Sequence, residues 1–253
     1  MRITKEYLDS LIENGRNMLK PDWNLWNPKK SDEGLGIEFQ GLKKSLNDKN
    51  MRIKLDLEGL NLISKKTLSE CIERRKSTRD FSNKFLSFKE LSYLIWETCG
   101  VNEHKDGYLH RTIPSAGGKY CLNTYMFINR VEDIQEGLYL YLPDNKELVL
   151  IDSKSNLVEK IDKAMFNQMY NSAITFIWTA MPYKMEYRYY IVSHKMIAIE
   201  AGHACQNLYL ASEAISCGCC AISAYKQRTI DKIVKVDGDN EFVIYMAIVG
   251  KEI

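Results

Sequence analysis

No stretch of the sequence approaches the roughly 18 apolar residues a membrane-spanning helix needs, so no transmembrane helix is expected. Met1 to Gly15 is charged and amphipathic and lacks the apolar core of a secretory signal. A cytosolic protein is therefore expected, with no membrane partner. An excess of one charge is also missing: 35 Lys and Arg stand against 33 Asp and Glu, a formal +2. That balance leaves no general nucleic-acid footprint. Cys71, Cys99, Cys121, Cys205, Cys217, Cys219 and Cys220 are odd in number and scattered, unlike a disulfide framework. Cys217-Gly218-Cys219-Cys220 has no second Cys or His pair at zinc-finger spacing, so free buried thiols are expected. The four histidines, at 104, 110, 194 and 203, form no metal motif. There is no internal repeat, no low-complexity tract and no GxGxxG fingerprint.

What is present is a chain of 253 residues, 45% of them hydrophobic, enough for one sizeable domain with an extension. Residues 1–60 read as a separate arm. Tyr7, Leu8, Leu11 and Ile12 give one helical face, and Pro21 to Gly41 is aperiodic. Trp23, Trp26 and Phe39 need a surface to lie on, so the arm is expected to drape over a core, this chain's or a partner's. Thr67-Leu68-Ser69-Glu70 and Ser87-Phe88-Lys89-Glu90 are capping-box patterns that start helices, the second ending at Gly100. Residues 101–122 read as a long functional loop. Strands are expected over Thr124–Val131, Gly137–Leu142, Glu147–Ile151, Ala173–Trp178, Cys219–Tyr225 and Phe242–Val249, and helices over Asn156–Tyr170 and Gln227–Lys235. The longest helical pattern runs from Arg188 to Ser216. Ile197, Ala201, Ala204, Leu208, Ala211 and Ile215 share one face, and the other carries few charges, so the helix is expected to be buried with His203 in the core.

One segment is chemically distinctive. Arg74, Arg75, Lys76, Ser77, Thr78 and Arg79 place four cations and two hydroxyls in six positions. Guanidinium forks, an ammonium and a hydroxyl donor can converge on one phosphate dianion. The same residues would also suit a helix C-terminus.

Arg75-Lys76-Ser77-Thr78-Arg79 resembles the flavin-phosphate signature of the nitroreductase superfamily. Tyr108 through His110-Arg111-Thr112-Ile113-Pro114-Ser115-Ala116-Gly117-Gly118, and Ala201-Gly202-His203-Ala204-Cys205-Gln206-Asn207-Leu208, are similar to its SagB-type branch, which includes dehydrogenases that oxidise azoline rings in modified peptides. The resemblance covers about residues 61–253. It implies an α+β fold with a central, mainly antiparallel sheet flanked by helices, and a homodimer with FMN at the interface. It implies that Arg75, Lys76, Ser77 and Arg79 hold the phosphate and the flavin's pyrimidine edge. By the same resemblance Pro114, Ser115, Ala116 and Gly117 reach the flavin from the second subunit, and Ala221, Ile222 and Ser223 lie by its reactive nitrogen. Lys251 corresponds to a further phosphate cation. The chain departs from the pattern at Cys121, where proline is common, and at Arg188-Tyr189, where the peptide-maturing enzymes carry Lys-Tyr. Arginine does not give up its proton near neutral pH, so Tyr189 remains the proton-transfer candidate, with Arg188 beside it. The expected activity is an FMN-dependent oxidoreduction, with NAD(P)H or a substrate C–H bond as donor. The alternatives are azoline oxidation on a modified peptide with partner proteins, and a flavin-binding module without turnover.

Overall fold

A computed structural model describes residues 3–40, 50–64, 66–105 and 108–253. Gly41, the end of the aperiodic stretch, lies outside the described residues. The chain forms helix α1 (Lys5–Leu19), strand β1 (Arg52–Lys54), helices α2 (Leu68–Arg74) and α3 (Phe88–Cys99), a hairpin of β2 (Val101–Lys105) and β3 (Tyr108–Arg111), and strands β4 (Leu122–Ile128), β5 (Gly137–Leu142) and β6 (Glu147–Asp152). Helix α4 (Leu157–Ala164), strand β7 (Ile174–Ala180), helices α5 (Pro182–Tyr189) and α6 (Ser193–Ala214), strand β8 (Cys217–Ile222), helix α7 (Gln227–Val234) and strand β9 (Phe242–Lys251) complete it. Seven strands make one sheet in the order β1-β6-β5-β4-β7-β9-β8, with every neighbouring pair antiparallel.

Side chains alternate across that sheet with period two. Met126, Ile128, Tyr139, Tyr141, Phe176 and Trp178 face α3 and α6. Tyr125, Phe127, Leu138, Leu140 and Ile177 face α4 and α7. Strand β7 is buried along its whole length, as its unbroken apolar run requires of an interior strand. Both capping boxes form, at Thr67 with Glu70 and at Ser87 with Glu90.

Four expectations change. The first half of the 101–122 loop folds back on itself as the β2–β3 hairpin. The helix expected over 156–170 stops at Ala164, because Phe166 and Asn167 adopt positive φ of 54° and 59°. The 188–216 helix is two helices, broken where Tyr190 takes φ 26° and ψ −105°. His203 is exposed, on a face of α6 with Ala198, Ile199, Gly202 and Gln206, while the Ile197–Ile215 face is buried as expected.

The arm lies on α5 of its own chain. Trp26 Nε1 donates to Arg188 O at 3.3 Å, the Asn27 N–H donates to Tyr190 Oη at 2.7 Å, and Tyr187 Oη donates to Ile37 O at 2.7 Å. Phe39 stacks on Tyr183 at 5.9 Å. Within the 1–60 segment, β1 leaves the rest of the arm and joins the sheet as an edge strand on β6.

Candidate active site

The sequence-predicted residues fall into two clusters. The first is built on the free edge of β8. At Arg75 the chain leaves α2, and its N–H still donates to Cys71 O at 3.0 Å. It then runs beside β8: Ser77 bridges to Cys219, and the Thr78 N–H donates to Cys219 O at 2.9 Å. Gly218 permits this approach, since a Cβ there would sit 2.7 Å from Thr78 Cβ. Tyr209, from α6, ties the cluster together. Its hydroxyl accepts from the Ala221 N–H at 2.8 Å and lies 2.9 Å from Ser77 Oγ. Burial raises the Tyr209 pKa, so its hydroxyl keeps its proton, and either hydroxyl can be the donor in the Ser77 contact. Ser77 is exposed beside it and presents its hydroxyl at the same edge.

Around this hydroxyl stand the cations. The Arg75 guanidinium lies 5.4 Å over the Tyr209 ring. Lys76 is 3.6 Å from Glu252, and Arg79 is exposed with no carboxylate within 4.0 Å among the described residues. Ala221 is half-buried, Ile222 turns into the core and Ser223 is exposed. Lys251 is differently placed. Burial would lower its pKa, but Glu90 and Cys217 beside it prevail and hold it above the usual lysine value. Its ammonium is committed to the Glu90 carboxylate.

The second cluster surrounds the 114–118 loop. Ser115 Oγ accepts from the Tyr120 N–H at 2.9 Å and donates to Glu200 Oε2 at 2.5 Å. Glu200, 2% exposed on α6, has its pKa raised by burial, only partly offset by Ser115, the Leu122 N–H and Arg111. Pro114 and Gly117 are exposed, and Ala116 is half-buried. Gly117 has φ 58°, and a Cβ on it would come within 2.7 Å of Tyr189 Oη and 2.9 Å of Arg188 Nη1. The Arg-Tyr pair is thus seated on the loop's glycine. From the other side the arm covers it: Trp26 stacks on Tyr189 at 6.1 Å, and Trp23 meets it edge-on at 6.5 Å. Glu33 takes the Arg188 guanidinium through Nε and through Nη2, the latter at 3.2 Å, and Lys119 at 2.7 Å. The Arg188 hydrogen bond is the main cause that holds the Glu33 carboxyl below its ordinary value. Beside the loop, a cavity of about 270 Å³ is lined by Phe39, Gly118, Lys119, Lys184 and Tyr187. Burial, then Arg111, lowers the Lys184 ammonium's pKa.

One chain does not bring the clusters together. Glu200 and Tyr209 are nine residues apart on α6, which is about 13.5 Å along the axis and half a turn around it. Sequence reasoning missed three residues that organise the clusters. Glu200 had a readable signal, a carboxylate on the apolar stripe of Ile197, Ala201 and Ala204. Tyr209 and Glu33 had none, because their partners are far away in sequence.

The chain as a whole is similar to several known proteins. A Methanocaldococcus jannaschii protein assigned as a nitroreductase is 27% identical over 188 residues, 74% of this chain and 91% of that protein. A nitroreductase structure from Ralstonia eutropha superposes with a TM-score of 0.66 at 23% identity, over 82% of this chain and 92% of the other. One from Anabaena variabilis gives 0.65 at 21% identity over 81% of this chain, which spans only 42% of that protein. A chain of the Escherichia coli microcin synthetase McbBCD complex, solved with truncated pro-MccB17 bound, gives 0.63 at 14% identity over 98% of this chain and 94% of its own. The family model for the nitroreductase family matches residues 72–251, well over half of the sequence, and the chain belongs to that family.

Proposed function

We propose that this nitroreductase-family protein is an FMN-dependent oxidoreductase working as a homodimer. The observation that carries the reading is the Arg75–Ser77–Tyr209–Ala221 cluster. It offers an anion a guanidinium, the Ser77 hydroxyl and two further cations, Lys76 and Arg79, beside a strand edge. That donor set fits the phosphate of FMN. A bound flavin would supply two-electron chemistry, accepting from one donor and passing on to a second acceptor. The chain's own residues do the rest. Arg75, Ser77 and Arg79 bind, and Ala221 to Ser223 present backbone at the edge of the site. Gly117 permits close approach of the 114–118 loop.

The separation of the clusters supports a site completed across two subunits, with the 114–118 loop of one meeting the β8 edge of the other. The uncovered faces of α6 and α1 are the surfaces such a dimer would bury. Tyr7, Leu8, Leu11 and Ile12 of α1 are all exposed in one chain.

A second reading is azoline oxidation on a modified peptide within a partner complex, with NAD(P)H unnecessary. It is favoured by the seated Arg188-Tyr189 pair, and by the likeness to the microcin synthetase chain, which extends over the arm as well as the family domain.

Purification tests the first reading. The protein is expected to be yellow, and heat-released flavin to be FMN at about one per subunit. Colourless protein that takes up no FMN would end this reading. Stopped-flow mixing with NADH or NADPH then decides the donor: no reduction, with reduction by a cyclised peptide, selects the second. Arg75→Ala should weaken FMN binding roughly ten- to a hundredfold through loss of a charge-assisted contact.

A further inference from the structure

On the sheet face opposite α6, helices α4 and α7 leave an open groove of about 590 Å³ between them. Its floor is apolar, with Leu157, Ala164 and Ile233. Its walls are cationic. Lys154, Lys160 and Lys163 stand on the α4 side, and Lys226, Arg228, Lys232 and Lys235 on the α7 side. A single carboxylate, Asp152, lines it. Seven cations and one carboxylate leave +6 on a chain whose formal charge is +2, so all remaining residues together carry −4. The groove thus carries a local excess of positive charge that the rest of the chain does not share.

Little within the fold neutralises them. Asp152 lies 3.2 Å from Lys235 and 3.7 Å from Lys154. Lys163 pairs with Glu159 at 2.5 Å across one helical turn, an exposed contact that solvent screens and that is readily given up. Lys226 sits 5.6 Å over the ring of Phe166, which is 54% exposed. Lys160, Arg228 and Lys232 have no carboxylate within 4.0 Å among the described residues. A solvated helix face usually interleaves acids with its lysines. Here Lys160, Arg228 and Lys232 crowd one groove without such acids, a surface suited to an anionic ligand.

We propose that this groove docks an acidic segment of a partner protein that also carries apolar side chains. Each wall helix has eight residues and runs about 12 Å, the reach of two helical turns of a bound peptide. Acidic side chains would meet the rim and set the register, and apolar ones would anchor on Leu157 and Ile233. The floor separates this occupant from other polyanions. Nucleic acid needs phosphate contacts and aromatic stacking, not a recessed aliphatic floor. An anionic bilayer presents a flat surface that a recess between helices does not meet. The proposal does not depend on flavin binding, since none of the residues lining the groove belongs to either active-site cluster.

Fluorescence anisotropy tests it with the full-length protein. The probe is a fluorescein-labelled peptide of about 12 residues repeating Glu-Leu-Glu-Glu, and the control has Gln for every Glu. The acidic probe should bind, and lose at least about tenfold in affinity between about 50 and 300 mM NaCl. The double variant Lys160→Glu/Lys232→Glu, at two exposed positions, should lose about tenfold or more. Ile233→Asn should weaken the probe as well, and Arg16→Glu on α1 should leave it unchanged. Thermal melts verify that each variant is folded. The proposal is overturned by absent binding, by equal binding of the Glu and Gln peptides, or by an unchanged double variant. Tighter binding of labelled dT12 or phosphatidylserine vesicles than of the acidic peptide also overturns it.

Discussion

Two residues decide how the 114–118 loop is held, and each gives a prediction. Gly117 is there because of its left-handed backbone and because no room exists for a Cβ beside Tyr189 and Arg188. Gly117→Ala should cost roughly 1–2 kcal/mol in the backbone alone. It should also push Tyr189 off the loop, seen as changed fluorescence of Trp23 and Trp26, which pack on that ring. Glu200 is a pH-dependent element. Its folded pKa is raised, so the stability it contributes is fully present below the ordinary carboxyl pKa of about 4.3. That stability is lost as pH rises through the folded value. Glu200→Gln, always neutral and still an acceptor for Ser115, should melt higher than the natural protein at pH 7–8. The advantage should close near pH 4, and a pH-independent difference would show that this carboxyl is not perturbed. Tyr189→Phe keeps the ring and removes the proton. If Tyr189 moves a proton, turnover of the true substrate should fall by about a hundredfold with FMN binding unchanged.

At the scale of elements, the decisive feature is the break between α5 and α6. The apolar periodicity around residues 188–216 is continuous, and nothing in it marks an interruption. Tyr190 creates the break because its hydroxyl is fixed outside the helix, accepting from the Asn27 N–H at 2.7 Å and donating to Leu25 O at 2.9 Å. The arm thereby turns α5 so that Arg188 and Tyr189 meet the loop. Tyr190→Phe deletes both bonds, about 1–2 kcal/mol at an exposed site. Limited proteolysis should then cut the arm roughly tenfold faster, while the sheet domain stays intact. The capped helices α2 and α3 were legible because their signals are local: a side-chain oxygen and a backbone N–H three residues apart. The β2–β3 hairpin was not, since its polar residues have no strong alternation to set them apart from loop.

At the scale of the molecule, the uncovered helix faces set the prediction. Gly202 on α6 has nothing within 4 Å of an added Cβ, so Gly202→Glu fits a single chain without strain. In a homodimer built on that face the same charge would be buried unpaired, which is costly. Sedimentation should show the natural chain as a dimer. Gly202→Glu should be a folded monomer with weakened flavin binding. A natural monomer that holds FMN tightly would contradict both the dimer and the shared site.

The central strands β4 to β7 and β9, the two capping boxes, the buried face of α6 and the basic run at 74–79 follow from the sequence alone. Each rests on contacts within a few residues or on simple periodicity, which short-range chemistry fixes. The tertiary structure alone decided that Ser77 meets the hydroxyl of Tyr209, 132 residues away, and that Arg188 is gripped by Glu33, 155 residues away. It also decided that α4 and α7 set their lysines face to face across one groove. Such pairings carry no local signal, because they arise only when the sheet order brings distant segments to the same place.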